Sequence, residues 1–116
     1  MILGFLGTGK ISSSIIYGIY KSKLKVKRIY ISSRNKNIAK KLEKQFRQVK
    51  IIKDNQEIIN KSSTIILGLT PLVGKKILSK LKFSLLNGIA WLFCITHDFR
   101  FYRYRKNFIL HYLWYL

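Results

Sequence analysis

The sequence predicts an α/β fold: a parallel sheet of about four βα units, covered by helices on both faces and followed by an atypical aromatic C-terminal tail. Three observations lead there. Short apolar runs alternate with segments whose apolar residues recur every three or four positions. A glycine-rich turn joins the first run to the first such segment. The alternation stops near Ser84, and residues 85–116 hold ten of the sixteen aromatics.

Taken in order, residues 2–6 (Ile-Leu-Gly-Phe-Leu) form an apolar run ending at Gly7, as a buried strand does. Ile11, Ile15, Ile16 and Ile19 then mark one face of a helix. A polar link from Lys21 to Lys27 leads into a second strand, residues 28–32, rich in β-formers. Asn35 opens a helix with Ile38, Leu42 and Phe46 along one side, and residues 49–52 form a third strand. Asp54 caps a short helix through Asn60, with Glu57 at the spacing of a capping box. Residues 64–67 form an apolar, hence central, fourth strand. Pro71 suits the first turn of a last helix, whose Val73, Ile77, Leu78 and Leu81 face inward. Such alternation makes βαβ units with right-handed crossovers.

At 116 residues the chain has room for one compact domain, and 48% hydrophobic residues is a globular composition. No basic region or cleavage site at the N-terminus marks a signal peptide, so a cytoplasmic protein is expected. A single cysteine, Cys94, excludes an internal disulfide, and no cysteine cluster offers a metal site. The net charge of +19 raises the possibility of a nucleic-acid or anionic-membrane partner. The lysines are scattered, however, with the densest run only Lys21, Lys23, Lys25, Lys27 and Arg28. The abundance of Ile, Lys, Asn, Tyr and Phe also suits an AT-rich coding sequence. Nucleic acid is therefore set aside as the partner, and no membrane association is expected.

The glycine turn carries the chemistry. In Gly7-Thr8-Gly9-Lys10-Ile11-Ser12 the first glycine permits a tight turn, and the second lets the backbone approach a pyrophosphate. The following helix N-terminus offers free N–H groups and partial positive charge to phosphates. Together with the order of elements, this describes a Rossmann-like sheet in a three-layer αβα arrangement, here incomplete and with an exposed edge. Gly4 to Lys10 also reads as the start of a P-loop, but Ile11 stands where that motif needs Ser or Thr for magnesium. Gly4 lies within the strand, and no strand ends in a metal-binding aspartate. The second strand ends in Ser32-Ser33-Arg34-Asn35, without the acid that binds the ribose hydroxyls of NAD. Arg34 can fork onto a 2′-phosphate and Ser33 can donate to it, so NADP(H) is the expected cofactor.

These segments, with Asp54-Asn55-Gln56-Glu57 and Ile66-Leu67-Gly68-Leu69-Thr70-Pro71, resemble the N-terminal domain of pyrroline-5-carboxylate reductases over roughly the first 83 residues. The resemblance implies NADPH-dependent reduction of 1-pyrroline-5-carboxylate to L-proline, in proline biosynthesis. It implies a cofactor held by Gly7, Thr8, Gly9, Lys10 and Ile11 at the pyrophosphate and by Ser33 and Arg34 at the 2′-phosphate. Asn55 would lie near the adenosine, and Leu69, Thr70 and Pro71 would approach the nicotinamide. Ser12 replaces the third glycine, and Thr70 stands where lysine is frequent.

Members of that family continue into more strands and a dimerising helical domain that builds the substrate pocket, and residues 84–116 resemble neither. The expectation is a truncated reductase: an NADP-binding domain over 1–83, an atypical tail over 84–116, and no oligomerisation domain. The imine substrate would be taken only by a full-length relative. The tail reads as the product of a shifted reading frame. Its partial aromatic–basic alternation from Phe99 to Arg105 could otherwise stack on single-stranded bases or sit at a membrane interface, and its apolar stretch from Ile89 to Ile95 is too short to span a bilayer. Residues 1–84 contain no histidine and only Glu43, Asp54 and Glu57 as acids, so no catalytic residue is assigned. The alternatives are the NADP-binding half of another imine or keto reductase, and a non-catalytic dinucleotide- or nucleic-acid-binding protein.

Overall fold

The computed structural model describes residues 1–83 and the backbone of residues 91–92. Along the chain lie β1 (Ile2–Leu6), α1 (Lys10–Lys21), β2 (Arg28–Ser32), α2 (Lys36–Gln45) and β3 (Val49–Ile52). They are followed by α3 (Asn55–Lys61), β4 (Thr64–Leu67), α4 (Pro71–Leu78) and a two-residue β5 (Trp91–Leu92). The strands form one sheet in the order β3-β2-β1-β4-β5, and every neighbouring pair is parallel. The sheet grows outward on one side from β1 to β3, then crosses back to β4. That order is the Rossmann-like one.

Side-chain alternation along each strand builds two cores, one per face. Leu3 and Phe5 of β1, Ile29 and Ile31 of β2 and Ile66 of β4 pack with Ile16 of α1 and Ala39 and Leu42 of α2. On the other face Leu6, Ile52, Ile65 and Leu67 pack with Ile58 and Ile59 of α3 and with Leu69. Val73, Ile77 and Leu78 of α4 border this second core, and Leu81 joins them although the helix has ended at Leu78. The layers are therefore αβα. Phe5 is fully buried, and its removal to alanine would cost about 3–5 kcal/mol. Gly4 faces α3, where a Cβ would lie 2.3 Å from Ser62 Oγ. Its glycine serves packing of strand against helix, which removes the remaining ground for a phosphate-loop reading.

Three local expectations need correcting. Asn35 caps α2 by accepting from the Ile38 N–H, but the helix ends at Gln45 and Phe46 is extended. Phe46 instead meets the far end of α1, stacked on Tyr20 with ring centres 3.9 Å apart and edge-on to Tyr17 at 5.1 Å. Asp54 caps α3 by accepting from the Gln56 N–H, yet the capping box is not closed, because Glu57 pairs with Lys61 at 2.6 Å. Finally, a strand lies beyond residue 83: Ile66 and Leu67 pair with Trp91 and Leu92, so β4 lies between β1 and β5, in the central place its apolar sequence predicts. A strand thus occurs within a stretch where the sequence shows no strand period, since two residues are too few to display one. The Phe99–Arg105 alternation and the tail's origin lie outside the described residues.

Candidate functional site

Parallel strands all end on one edge of the sheet, and β1 is the strand from which the connections diverge. Its neighbours β2 and β4 are reached in opposite directions, so their following loops part and leave a crevice over the end of β1. The β1–α1 turn forms its floor. Gly7 has φ +90°, a conformation that a side chain disfavours, and a Cβ there would lie 2.3 Å from the Gly68 carbonyl oxygen. The turns after β1 and β4 are therefore in direct backbone contact.

A buried hydroxyl network fixes this turn. The Gly7 N–H donates to Ser32 Oγ at 3.0 Å, and Thr8 Oγ1 donates to the Ser32 carbonyl at 2.6 Å. With the Thr8 proton so engaged, the 3.1 Å contact between the two hydroxyls is made by the Ser32 proton. From the other side Ser12 Oγ donates to the Gly7 carbonyl at 2.6 Å. Both polar groups of Gly7 are thus committed to the protein. Ser12 fits at the third position of the glycine motif because residue 68 is itself glycine: a Cβ there would come within 2.3 Å of Ser12 Oγ.

The donors left for a ligand belong to α1. Gly9 is its N-cap and carries no side-chain cap, and the first turn holds no acid. The N–H groups of the opening turn have no partner within the helix and face the crevice with the positive end of its dipole. A Cβ on Gly9 would meet nothing within 4 Å. No protein packing requires glycine there, whereas a ligand lying against the backbone would.

Two adjoining cavities occupy the crevice. The larger, of about 620 Å³, is lined by Gly7, Thr8 and Gly9 from the first turn, by residues 34–37, and by Gly68, Leu69, Thr70 and Val73. The smaller, of about 210 Å³, lies between the ends of β2 and β3, lined by Ser32, Ser33, Arg34, Lys53 and Asn55 together with Gly7, Leu69 and Ile77. Of the residues singled out in the sequence, Gly7, Thr8, Gly9, Arg34, Leu69 and Thr70 border the larger cavity. Ser33 and Asn55 border the smaller, as do Gly7, Arg34 and Leu69. Lys10 and Ile11 are not among the lining residues; they form the start of α1, where backbone N–H groups lack helical partners. Pro71 opens α4. Sequence reasoning missed Ser32, whose hydroxyl ties two loops together, and Lys53. Ser32 belongs to the Ser32–Asn35 run, but its tie to Gly7 and Thr8, like the placement of Lys53, arises only from the pairing of strands distant in the chain. Arg34, Lys36 and Lys53 are the charged residues of the two linings, and no carboxylate belongs to either. Among the described residues no group of His, Cys, Asp and Glu could hold a metal ion, and no helix is long and apolar enough to cross a membrane.

A family model described as NADP oxidoreductase, coenzyme F420-dependent, matches residues 2–89. The chain belongs to this oxidoreductase family. Its cofactor is a nicotinamide dinucleotide of the NAD(P)H type, and the open backbone at Gly9 with the unpaired N–H groups of α1 fits a pyrophosphate. Among solved structures, 1-pyrroline-5-carboxylate reductase from Streptococcus pyogenes is similar over 81% of this chain and 34% of its own, with 26% identity and a TM-score of 0.64. Mycobacterium tuberculosis 3-hydroxyisobutyrate dehydrogenase is similar over 80% of this chain and 31% of its own, with 14% identity and a TM-score of 0.59, a likeness of fold alone. The chain spans about a third of the length of these neighbours. No curated protein sequence matches it. The family match runs past residue 83, where the sequence alone placed the end of the domain, towards β5.

Proposed function

We propose that this chain is the NADP(H)-binding part of a reductase acting on a small cyclic imine, 1-pyrroline-5-carboxylate, to give L-proline. The observation that carries the cofactor choice is the end of β2. Ser33 and Arg34 border a cavity without a carboxylate, so a 2′-phosphate meets a cation and a hydroxyl rather than a repelling acid. The substrate rests on the likeness to the streptococcal reductase. In this reading Gly9, Lys10 and Ile11 hold the pyrophosphate by backbone contact, and Thr8 keeps the turn in place through Ser32. Asn55 borders the adenosine side, while Leu69, Thr70 and Pro71 line the approach to the nicotinamide. When bound, the cofactor would supply a hydride for the C=N carbon, while the proton for the ring nitrogen would have to come from outside the residues assigned here.

The test is a fluorescence titration of the 116-residue protein with NADPH and NADH. Arg34→Ala should weaken NADPH by about tenfold or more, the worth of a hydrogen bond to a charged group, and leave NADH within about twofold. Equal losses for the two cofactors would refute the 2′-phosphate assignment. A second substrate reading comes from the family description, which names coenzyme F420. Cofactor oxidation that proceeds with that deazaflavin and not with the imine, in a complete enzyme carrying this domain, would favour it.

A further inference from the structure

We infer that Lys53 is a second cation of the 2′-phosphate site and sets the preference for NADPH together with Arg34. The inference rests on the NADP(H) reading and adds a residue that no motif supplies. Its basis is strand register. Ser32 pairs with Ile52, so the chain leaves β2 and β3 at the same level and Ser33 and Lys53 emerge side by side. Neighbouring strands lie about 4.8 Å apart, which is the width over which a phosphate can be shared. Lys53, Ser33, Arg34 and Asn55 all border the smaller cavity.

Charge supports the same assignment. A phosphate monoester carries roughly 1.5 to 2 negative charges at neutral pH, so a single arginine leaves part of it uncompensated. Lys53 is exposed and not held by a protein counter-ion: among the described residues the one ion pair is Lys61 with Glu57. Asp54 is the adjacent acid, but its carboxylate accepts from the Gln56 N–H and caps α3, and it does not line the cavity. The two cations also differ in a useful way. Arginine offers a planar fork, whereas lysine on its flexible stem is a point charge that can follow the phosphate.

The test compares four proteins by titration with NADPH, NADH and 2′,5′-ADP: the unaltered chain, Lys53→Ala, Lys53→Arg and Lys50→Ala. Lys50 is another exposed lysine of β3 that borders neither cavity, and it controls for the general positive field. Lys53→Ala should weaken NADPH and 2′,5′-ADP by about five- to tenfold, leave NADH within about twofold, and flatten the dependence of NADPH affinity on salt. Lys53→Arg should restore most of the loss, and Lys50→Ala should behave as the unaltered protein. Equal effects of Lys53→Ala and Lys50→Ala would overturn the inference in favour of a diffuse field, as would equal effects of Lys53→Ala on both dinucleotides. If Arg34→Ala discriminates NADPH from NADH and Lys53→Ala does not, the inference falls while the NADP(H) reading stands. If neither substitution discriminates, both fall.

Discussion

At Gly7 and Gly9 the same residue type answers two different demands, and substitution separates them. Gly7 is required by the protein itself: its φ is +90° and a Cβ would strike the Gly68 carbonyl. Gly7→Ala should destabilise the fold by roughly 3 kcal/mol or more, as seen in urea unfolding without ligand. Gly9 sits in extended backbone with open space around its Cα, so Gly9→Val should cost no more than about 1 kcal/mol of stability. The same substitution fills the cradle above the α1 N-terminus, and NADPH affinity should fall at least about tenfold, or ~1.4 kcal/mol. A Gly9→Val protein that binds NADPH normally would remove the pyrophosphate from this turn. The sequence suggested both glycine roles by their position in the motif. It could not show that Ser12 is accommodated by Gly68, because those residues are 56 positions apart and meet only once β1 and β4 pair.

Among the elements, the helices show where sequence pattern stops being informative. A capping-box spacing led to the expectation that Asp54 and Glu57 both cap α3. The structure keeps the first and diverts the second to Lys61, four residues on, because an exposed carboxylate near a lysine one turn away has a competing partner. Asp54→Ala should therefore lower stability by about 1 kcal/mol, while Glu57→Ala should leave the urea midpoint nearly unchanged. Equal losses would mean that the box is closed in solution. Phe46 makes a similar point. Its spacing from Leu42 suggested a helical position, but the chain has already turned, and the ring closes α2 against Tyr17 and Tyr20 of α1. Burial pushes the Tyr20 phenol above its ordinary range, only partly offset by a contact with the Gln48 backbone. Both helices start at the crevice edge and run away from it, so this cluster marks the opposite end of the domain. Phe46→Ala should cost roughly 2–3 kcal/mol from two lost ring contacts and lost burial, yet leave the NADPH affinity of the folded protein unchanged.

For the molecule as a whole, the order of apolar runs and helical stripes gave away the layer architecture, since buried parallel strands and amphipathic helices have different periods. Its end was not legible, because β5 is two residues long and lies in a stretch without period. Limited proteolysis should accordingly leave a resistant fragment that includes residues 1–83, and pairing of β5 with β4 should extend it to about residue 92. Early cleavage within 1–80 would contradict a single ordered unit. The consequence for activity follows from what borders the crevice. Hydride transfer requires the acceptor carbon to be held at roughly 3–3.5 Å from the nicotinamide, and such positioning can supply about 7–11 kcal/mol of barrier lowering. The linings of the two cavities offer Arg34, Lys36 and Lys53 as charged groups, all on the β2 and β3 side where the 2′-phosphate is proposed. Towards α4 they offer Leu69, Thr70 and Val73, whose single O–H, on Thr70, has no acidic or basic lining residue beside it on that side to relay a proton. The acids Glu43, Asp54 and Glu57 line neither cavity. The 116-residue protein should therefore bind NADPH and yet show no enzymatic turnover of 1-pyrroline-5-carboxylate when cofactor oxidation is followed by absorbance. Steady turnover that disappears in Gly9→Val would show instead that this chain holds the imine over the cofactor with residues other than those lining the described crevice.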